Sequence, residues 1–339
     1  MFQFCDSMDA YARTEDILGK WVYNSGLSFE AGAGKYGGVA LSGTQGYGRV
    51  GLAGTSIPAG VPTYVAGWWK FTSGLNALTS GVGMVVINTS MVLHITSGGT
   101  IGVYDTNRNL KGQGSRSISD SAYHWIEAAI TVDGANSKVT VYVDGLKDID
   151  GTFDLGVAAA PQTMVGLGVG TVVSKAYMDD VIVWDNQSGD SFTSFPIGIK
   201  RIGLLNPNGP GASTKFVSSD STKANWQVAS QPYVPVLPAV VATLSDAGID
   251  NIDLYTANAL GFTPTGDLNV VVSISGSNPS GDGAHKLGAV VQSNALQNAG
   301  LRQNLGSTPL TRQTMFMYDP ATNPWTLASV NNIQIGMKD

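Results

Sequence analysis

The chain has 339 residues, a net charge of −6, 43 glycines and only 13% charged residues, a composition unlike that of disordered segments or nucleic-acid binders. Its only adjacent basic pair is Lys200-Arg201 and its only cysteine is Cys5, so an internal disulfide and a thiolate metal cluster are both excluded. No apolar run reaches the roughly 18 residues of a bilayer span, the N-terminus lacks a basic region followed by an apolar core, and synthesis in a cytoplasm is expected.

The length favours two domains. Cys5 lies between apolar and acidic residues in "MFQFCDSMD", where a packed thiol is expected. The following stretch, with Asp16, Ile17, Leu18 and Lys20 ahead of Trp21, allows one short helical turn. Strand patterns take over from there: "GLSFEAG", "GGVALSG", "GRVGLAG", "TYVAGWWKFTS", "GMVVINT", "MVLHITSGG" and "IGVYDTN". Glycine and serine punctuate them at the roughly 8–12-residue spacing of a sandwich or barrel.

The clearest signal is "YHWIEAAITVDGANSKVTVYVDG", Tyr123 to Gly145. Ile126, Ala128, Ile130 and Val132 alternate with Trp125, Glu127, Ala129 and Thr131, and Val139, Val141 and Val143 alternate with Thr140 and Tyr142. Asp133 to Lys138 makes the turn, and Asp144-Gly145 closes the second strand in another. One apolar face at period two predicts a sheet packed on one side only. "YMDDVIVWDN" reads as a further core strand, with Val181 and Val183 opposite Ile182 and Trp184.

Small polar residues and a proline in Asn186 to Gly198 place a domain boundary near 195. Beyond it, "KRIGLLNPNGPGASTKF" pairs a short apolar strand with a Gly/Pro turn. "LPAVVATLSDAGIDNIDLYTA" is the most helix-tolerant segment, its helix cut short by proline and glycine. "DLNVVVSISGS", "HKLGAVVQSN", "RQTMFMYDP" and "VNNIQIGMKD" are strands.

The Tyr123–Gly145 hairpin, followed by "MDDVIVWD", resembles the laminin G-like, concanavalin A-like jelly roll over about residues 1–190. Three further stretches look like tailed-bacteriophage virion structural proteins: "FCDSMDAY…ILGKW" with "GKYGGVAL", "STKANWQVAS" with "GIDNIDLYTA", and the closing "YDPATNPWTLASVNNIQIGMKD". The resemblance implies an all-β chain, with a concanavalin A-like jelly-roll sandwich over 1–195 and a second, smaller β-sandwich over 196–339 for particle attachment or oligomerisation. It implies a non-enzymatic head decoration, head fibre or tail-associated component, located in the virion and assembled in a bacterial host's cytoplasm. The implied partners are other virion proteins and sister copies in a homo-oligomer, with no nucleic acid and no membrane insertion. The alternative is a carbohydrate-binding adhesin or receptor-binding protein whose lectin-like jelly roll docks host-surface polysaccharide. The family supplies no catalytic, cofactor-binding or metal-binding residues to carry over.

The residues themselves agree with that absence. A glycosidase needs two facing carboxylates, about 5–5.5 or 6.5–9.5 Å apart. Glu127 is alone in its strand, and the neighbours Asp179 and Asp180 are expected on opposite faces, so no enzyme is predicted. No serine sits in a G-x-S-x-G elbow, and "GAGKYGG" lacks the Lys-Ser/Thr ending of a phosphate-binding loop. Asp144, Asp148, Asp150 and Asp154 could gather around calcium on one loop, but they lack the ordered spacing of a calcium-loop motif, and turn formation is preferred. His94, His124 and His285 are too scattered for a metal site. Trp68-Trp69 should split, one ring in the core and the other outward at an interface or a sugar.

Overall fold

The computed structural model of the protein describes residues 2–9, 11, 21, 23–43, 47–51, 56–72, 84–88, 90–168, 175–186, 192–231, 244–245, 250–278, 280, 285–307 and 310–339. The helical turn expected at Asp16–Lys20 lies outside them, as do residues 237–243 and 246–249 of the helix-tolerant segment. The chain divides into two compact units, Met1–Ile202 and Gly203–Asp339.

In the first unit the strands begin with β1 (Phe2–Asp6), β2 (Tyr23–Ser25), β3 (Ser28–Ala31), β4 (Val39–Gly43) and β5 (Tyr47–Gly51). They continue as β6 (Thr63–Phe71), β7 (Val85–Ile87), β8 (Ser90–Ile95), β9 (Thr100–Tyr104) and β10 (Leu110–Ser117). The last five are β11 (Tyr123–Thr131), β12 (Ser137–Val143), β13 (Leu146–Phe153), β14 (Met164–Gly168) and β15 (Ala176–Asp185). Two antiparallel sheets result. The larger has the order β13-β12-β11-β6-β15-β4-β3, with β1 added on β15, and the smaller has the order β10-β9-β8-β7-β14-β5-β2.

The sheets form an all-β jelly-roll sandwich around one apolar core. From the larger sheet come Val65, Trp69, Ile126, Ala128, Ile130, Val139, Val141, Met178, Val181 and Val183; from the smaller come Val85, Ile87, Leu93, Ile95, Val103 and Leu167. Each fully buried Val, Leu or Ile contributes roughly 1.5–3 kcal/mol. The period-two alternation of the hairpin is therefore what closes the sandwich. Its second turn, Asp144-Gly145, joins β12 to β13 with both residues at positive φ, 51° and 78°, as a two-residue hairpin requires.

Around the expected boundary, residues 192–202 belong to the first unit and form a strap across the outer face of the larger sheet. The Phe195 ring packs on Tyr64 and Tyr142, with ring centroids 5.1 and 5.5 Å away. Glu127 Oε1 accepts the backbone N–H of Ile197 at 2.7 Å and of Gly198 at 3.2 Å. Trp68 Nε1 donates to the Lys200 carbonyl at 3.3 Å. The expectation of a sheet packed on one side only is thus corrected. Trp125 and Glu127, on the face away from the core, are both fully buried.

The second unit contains β16 (Pro207–Pro210), β17 (Val217–Ser218), β18 (Leu244–Ser245), β19 (Ile252–Ala257) and β20 (Val270–Gly276). After these come β21 (Lys286–Ser293), β22 (Leu296–Ala299), β23 (Gln303–Asn304), β24 (Leu310–Phe316) and β25 (Gln334–Lys338), with helices α1 (Asn225–Ala229) and α2 (Leu327–Asn331). One sheet has the order β16-β19-β25-β21-β22, with β23 on β21, and β20 pairs with β24 as a separate ribbon. Val270, Val272 and Ile274 of the ribbon share a core with Leu287, Ala289 and Val291 of the sheet. Two expectations fail here. The strand near residue 205 lies instead at Pro207–Pro210, on a sheet edge where the N–H groups missing from proline are not needed. The described end of the helix-tolerant segment, Ile252–Ala257, is a strand held between two others.

Candidate functional site

Strand register decides which side chains meet on the outer face of the larger sheet. Across β3, β4, β15, β6 and β11, the pairs Ser28–Ser42, Ser42–Tyr177, Tyr177–Lys70 and Lys70–Tyr123 fall in one line. In the next line Trp125 lies opposite Trp68, and Trp68 opposite Asp179.

A β-bulge then breaks the alternation. The register shifts between Asp179 and Ile182, and Asp180 takes a positive φ of 48°. Met178 and Val181 both remain in the core, so the two residues between them are carried together on the outer side. The expectation that Asp179 and Asp180 point to opposite faces is therefore wrong, because it assumed an unbroken pleat.

Both acids are buried and serve as hydrogen-bond acceptors for the backbone. Asp179 Oδ2 accepts the Lys35 N–H at 2.8 Å, and Asp180 accepts the backbone N–H of Ile202. Burial pushes both carboxyls well above the usual carboxylate range, Asp180 further, because the charge of Asp179 beside it adds to its own desolvation. Asp9 raises both, while Arg201 partly offsets the shift of Asp180. One side chain of the pair therefore holds a proton at neutral pH.

The turn after β3 and the strap together cover much of this face. Lys35 Nζ lies 4.3 Å from the Trp68 ring centroid, Tyr36 meets the same ring edge-on at 6.2 Å, and Arg201 lies over Tyr36 at 4.3 Å. Trp68 is only 4% exposed, so its ring is outside the core yet not offered to solvent, while Trp69 is in the core and donates to the Gly168 carbonyl.

The Tyr123–Lys70–Tyr177 line lies at the edge of this cover, and all three side chains are half-buried. Lys70 Nζ sits between the two phenol rings, 4.8 Å from the centroid of Tyr123 and 4.2 Å from that of Tyr177. Tyr123 Oη donates to the Ala33 carbonyl at 2.7 Å, fixing its ring against the turn after β3. Burial, then the charge of Asp179, push the Tyr123 hydroxyl far up, so it stays a donor throughout the ordinary pH range. At the end of the same face Lys175 pairs with Glu30. These residues offer two aromatic rings, an ammonium and the Tyr177 hydroxyl along one line of the sheet.

The other residues singled out in the sequence are used separately. Asp144 Oδ1 accepts the Trp125 N–H, and its Oδ2 contacts His124 Nδ1 at 2.7 Å. Asp148 accepts from Ser115 and Arg116, Asp150 from Lys147 and Thr140, and Asp154 from Gly156. Among the described residues no group of three or more His, Cys, Asp or Glu is arranged around a metal position. His94 is buried against Tyr104, its pKa lowered by desolvation to about 4. His285 contacts Asp339, and Cys5 is packed in β1. Sequence reasoning missed Lys70, Tyr123 and Tyr177 as a group. They come from three separate strands, and only the register between those strands brings them together.

No family model matches the sequence, and no curated protein matches it. Solved structures of similar fold include an alginate lyase, at 12% identity and TM-score 0.35 over 53% of this chain and 96% of that one. An endo-β-1,4-glucuronan lyase from the fungus Trichoderma reesei matches at 12% identity and TM-score 0.38, over 54% of this chain and 95% of that one. A Bacillus subtilis protein with a galectin-like fold matches at 12% identity and TM-score 0.32, over 53% and 94%. The expectation of a chain without enzymatic activity is withdrawn, because lyases stand among the solved structures similar to it. That expectation rested on the facing carboxylates of a glycosidase, a pattern that does not bear on elimination chemistry.

Proposed function

We propose that the chain is a glycan-binding jelly-roll protein and that a sugar chain lies along the Tyr123–Lys70–Tyr177 line. One observation carries this reading: the strap and the turn after β3 bury the aromatic residues of the neighbouring line, yet this line of two tyrosines and a lysine stays half-open. Aromatic walls with a few fixed polar groups are the usual composition of a small-ligand site. The phenols give apolar contact along their rings and hydrogen bonds at their hydroxyls.

The test is calorimetric titration of the full chain against a panel of plant, algal and bacterial-surface polysaccharides. Tyr177→Ala should weaken binding roughly tenfold, the effect of removing one buried aromatic anchor. A panel in which nothing binds, or an alanine variant that binds as tightly as the parent, would overturn the reading. The same incubations report cleavage, since elimination in a uronan leaves an unsaturated end that absorbs in the ultraviolet.

A place in a virion is a separate proposal, supported by the likeness of the chain's two ends to phage structural proteins. Mass spectrometry of purified particles that lacked the chain would end it.

A further inference from the structure

We propose that the sugar taken at this strip is acidic, and that Lys70 reads its carboxylate. The inference rests on the glycan reading above and adds the chemical class of the ligand. Lys70 differs from the other lysine of the strip. Lys175 is paired with Glu30, whereas among the described residues Lys70 has no carboxylate partner, and its ammonium is held only between the Tyr123 and Tyr177 rings. Two rings strip part of the water from the ammonium without neutralising it, which leaves it short of a counter-charge.

The acidic groups on the elements around it do not supply that charge. Glu30 on β3 is taken by Lys175. Asp179 and Asp180 on β15 are buried and turned to the backbone N–H groups of Lys35 and Ile202. A sugar carboxylate entering along the strip would meet Lys70 Nζ with a charge-assisted hydrogen bond. Tyr177 and Tyr123 would flank the ring that carries it. A neutral sugar would leave the ammonium as it is. The ammonium is a compact point charge rather than a planar fork, so it suits one carboxylate oxygen and tolerates several uronate epimers.

The experiment compares three polyuronates (polymannuronate, polygalacturonate and polyglucuronate) with their methyl esters, which keep the backbone and lose the charge. Titrations use the full chain at low and high salt, with Lys70→Met and Lys70→Arg beside the parent. At least one polyuronate should bind tenfold or more tightly than its ester. That margin should shrink with salt, vanish in Lys70→Met and survive in part in Lys70→Arg. Acid and ester binding equally, or a margin that persists in a folded Lys70→Met, would overturn the assignment of acidic sugars to Lys70. Binding of neutral glycans alone would overturn it as well while leaving the glycan reading intact, and no binding of any polymer would overturn both. The acid–ester comparison needs only the parent chain, so it decides the matter even if a variant fails to fold.

Discussion

Asp180→Asn should raise the melting temperature of the protein at pH 8 and have little effect near pH 4. The two buried carboxyls of the bulge are held above the ordinary carboxylate range, first by desolvation and then, for Asp180, by its ionised neighbour. In the unfolded chain both release their protons at about pH 4. Between that value and the raised native ones, the folded state binds more protons than the unfolded state, so stability falls as pH rises. The contribution of the pair is complete below pH 4 and is lost progressively through neutral pH and above. Asparagine has the same shape, keeps an oxygen for the Ile202 N–H and is at ease at positive φ. It carries no proton to lose. A gain on the order of 2 kcal/mol at pH 8 is expected from roughly 1.4 kcal/mol per unit of displaced pKa, or about 4–8 °C in a unit of this size. Thermal melts of parent and variant at pH 4 and pH 8 check it. An equal loss at both pH values would show instead that the native state needs the Asp180 carboxylate.

What the sequence revealed and what it concealed follow one physical line. Strands with one apolar face were legible, because Ile126 to Ile130 and Val139 to Val143 have to alternate to close a sandwich. Three of the missed strands show two reasons. Leu110–Ser117 and Leu146–Phe153 are the edge strands of their sheets, and their polar, mostly solvent-facing residues keep no period for a reader to find. Met164–Gly168 lies inside its sheet, but its glycines dilute the apolar pattern. The site was concealed for a different reason. The bulge at Asp179-Asp180 has no marker in the sequence, since an aspartate at positive φ reads like any other, yet it reverses the facing of an acid. Lys70, Tyr123 and Tyr177 are 53 and 54 residues apart along the chain, and nothing local to any of them points to the others. Much of the strap read as linker because Asn186–Gly198 combines small polar residues with a proline, and its function as a lid on Trp68 and Glu127 depends on partners far upstream.

Glu127 supports the strongest prediction about that lid: Glu127→Ala should loosen the strap, while Glu127→Gln should leave it in place. The carboxylate is fully buried, and its Oε1 accepts two backbone N–H groups of the strap. Alanine removes the acceptor from both, at about 1–3 kcal/mol for a donor left without a partner. Only part of that applies here, because Ile197 and Gly198 are half-buried and water can reach them. A loss of about 2 kcal/mol is expected, read as a lower urea midpoint with an unchanged slope. Glutamine keeps Oε1 and removes a charge whose pKa is raised by burial, the strap N–H groups offsetting that shift only in part. The parent should therefore lose stability as pH rises from about 4, the ordinary glutamate range, into the neutral range, and the glutamine variant should not. Hydrogen exchange locates the effect. In Glu127→Ala the amides of residues 197–202 should exchange faster, while those of Val139 to Val143 in the core hairpin stay protected. Uniform acceleration over both segments would place Glu127 in the stability of the whole sandwich rather than in the attachment of its lid.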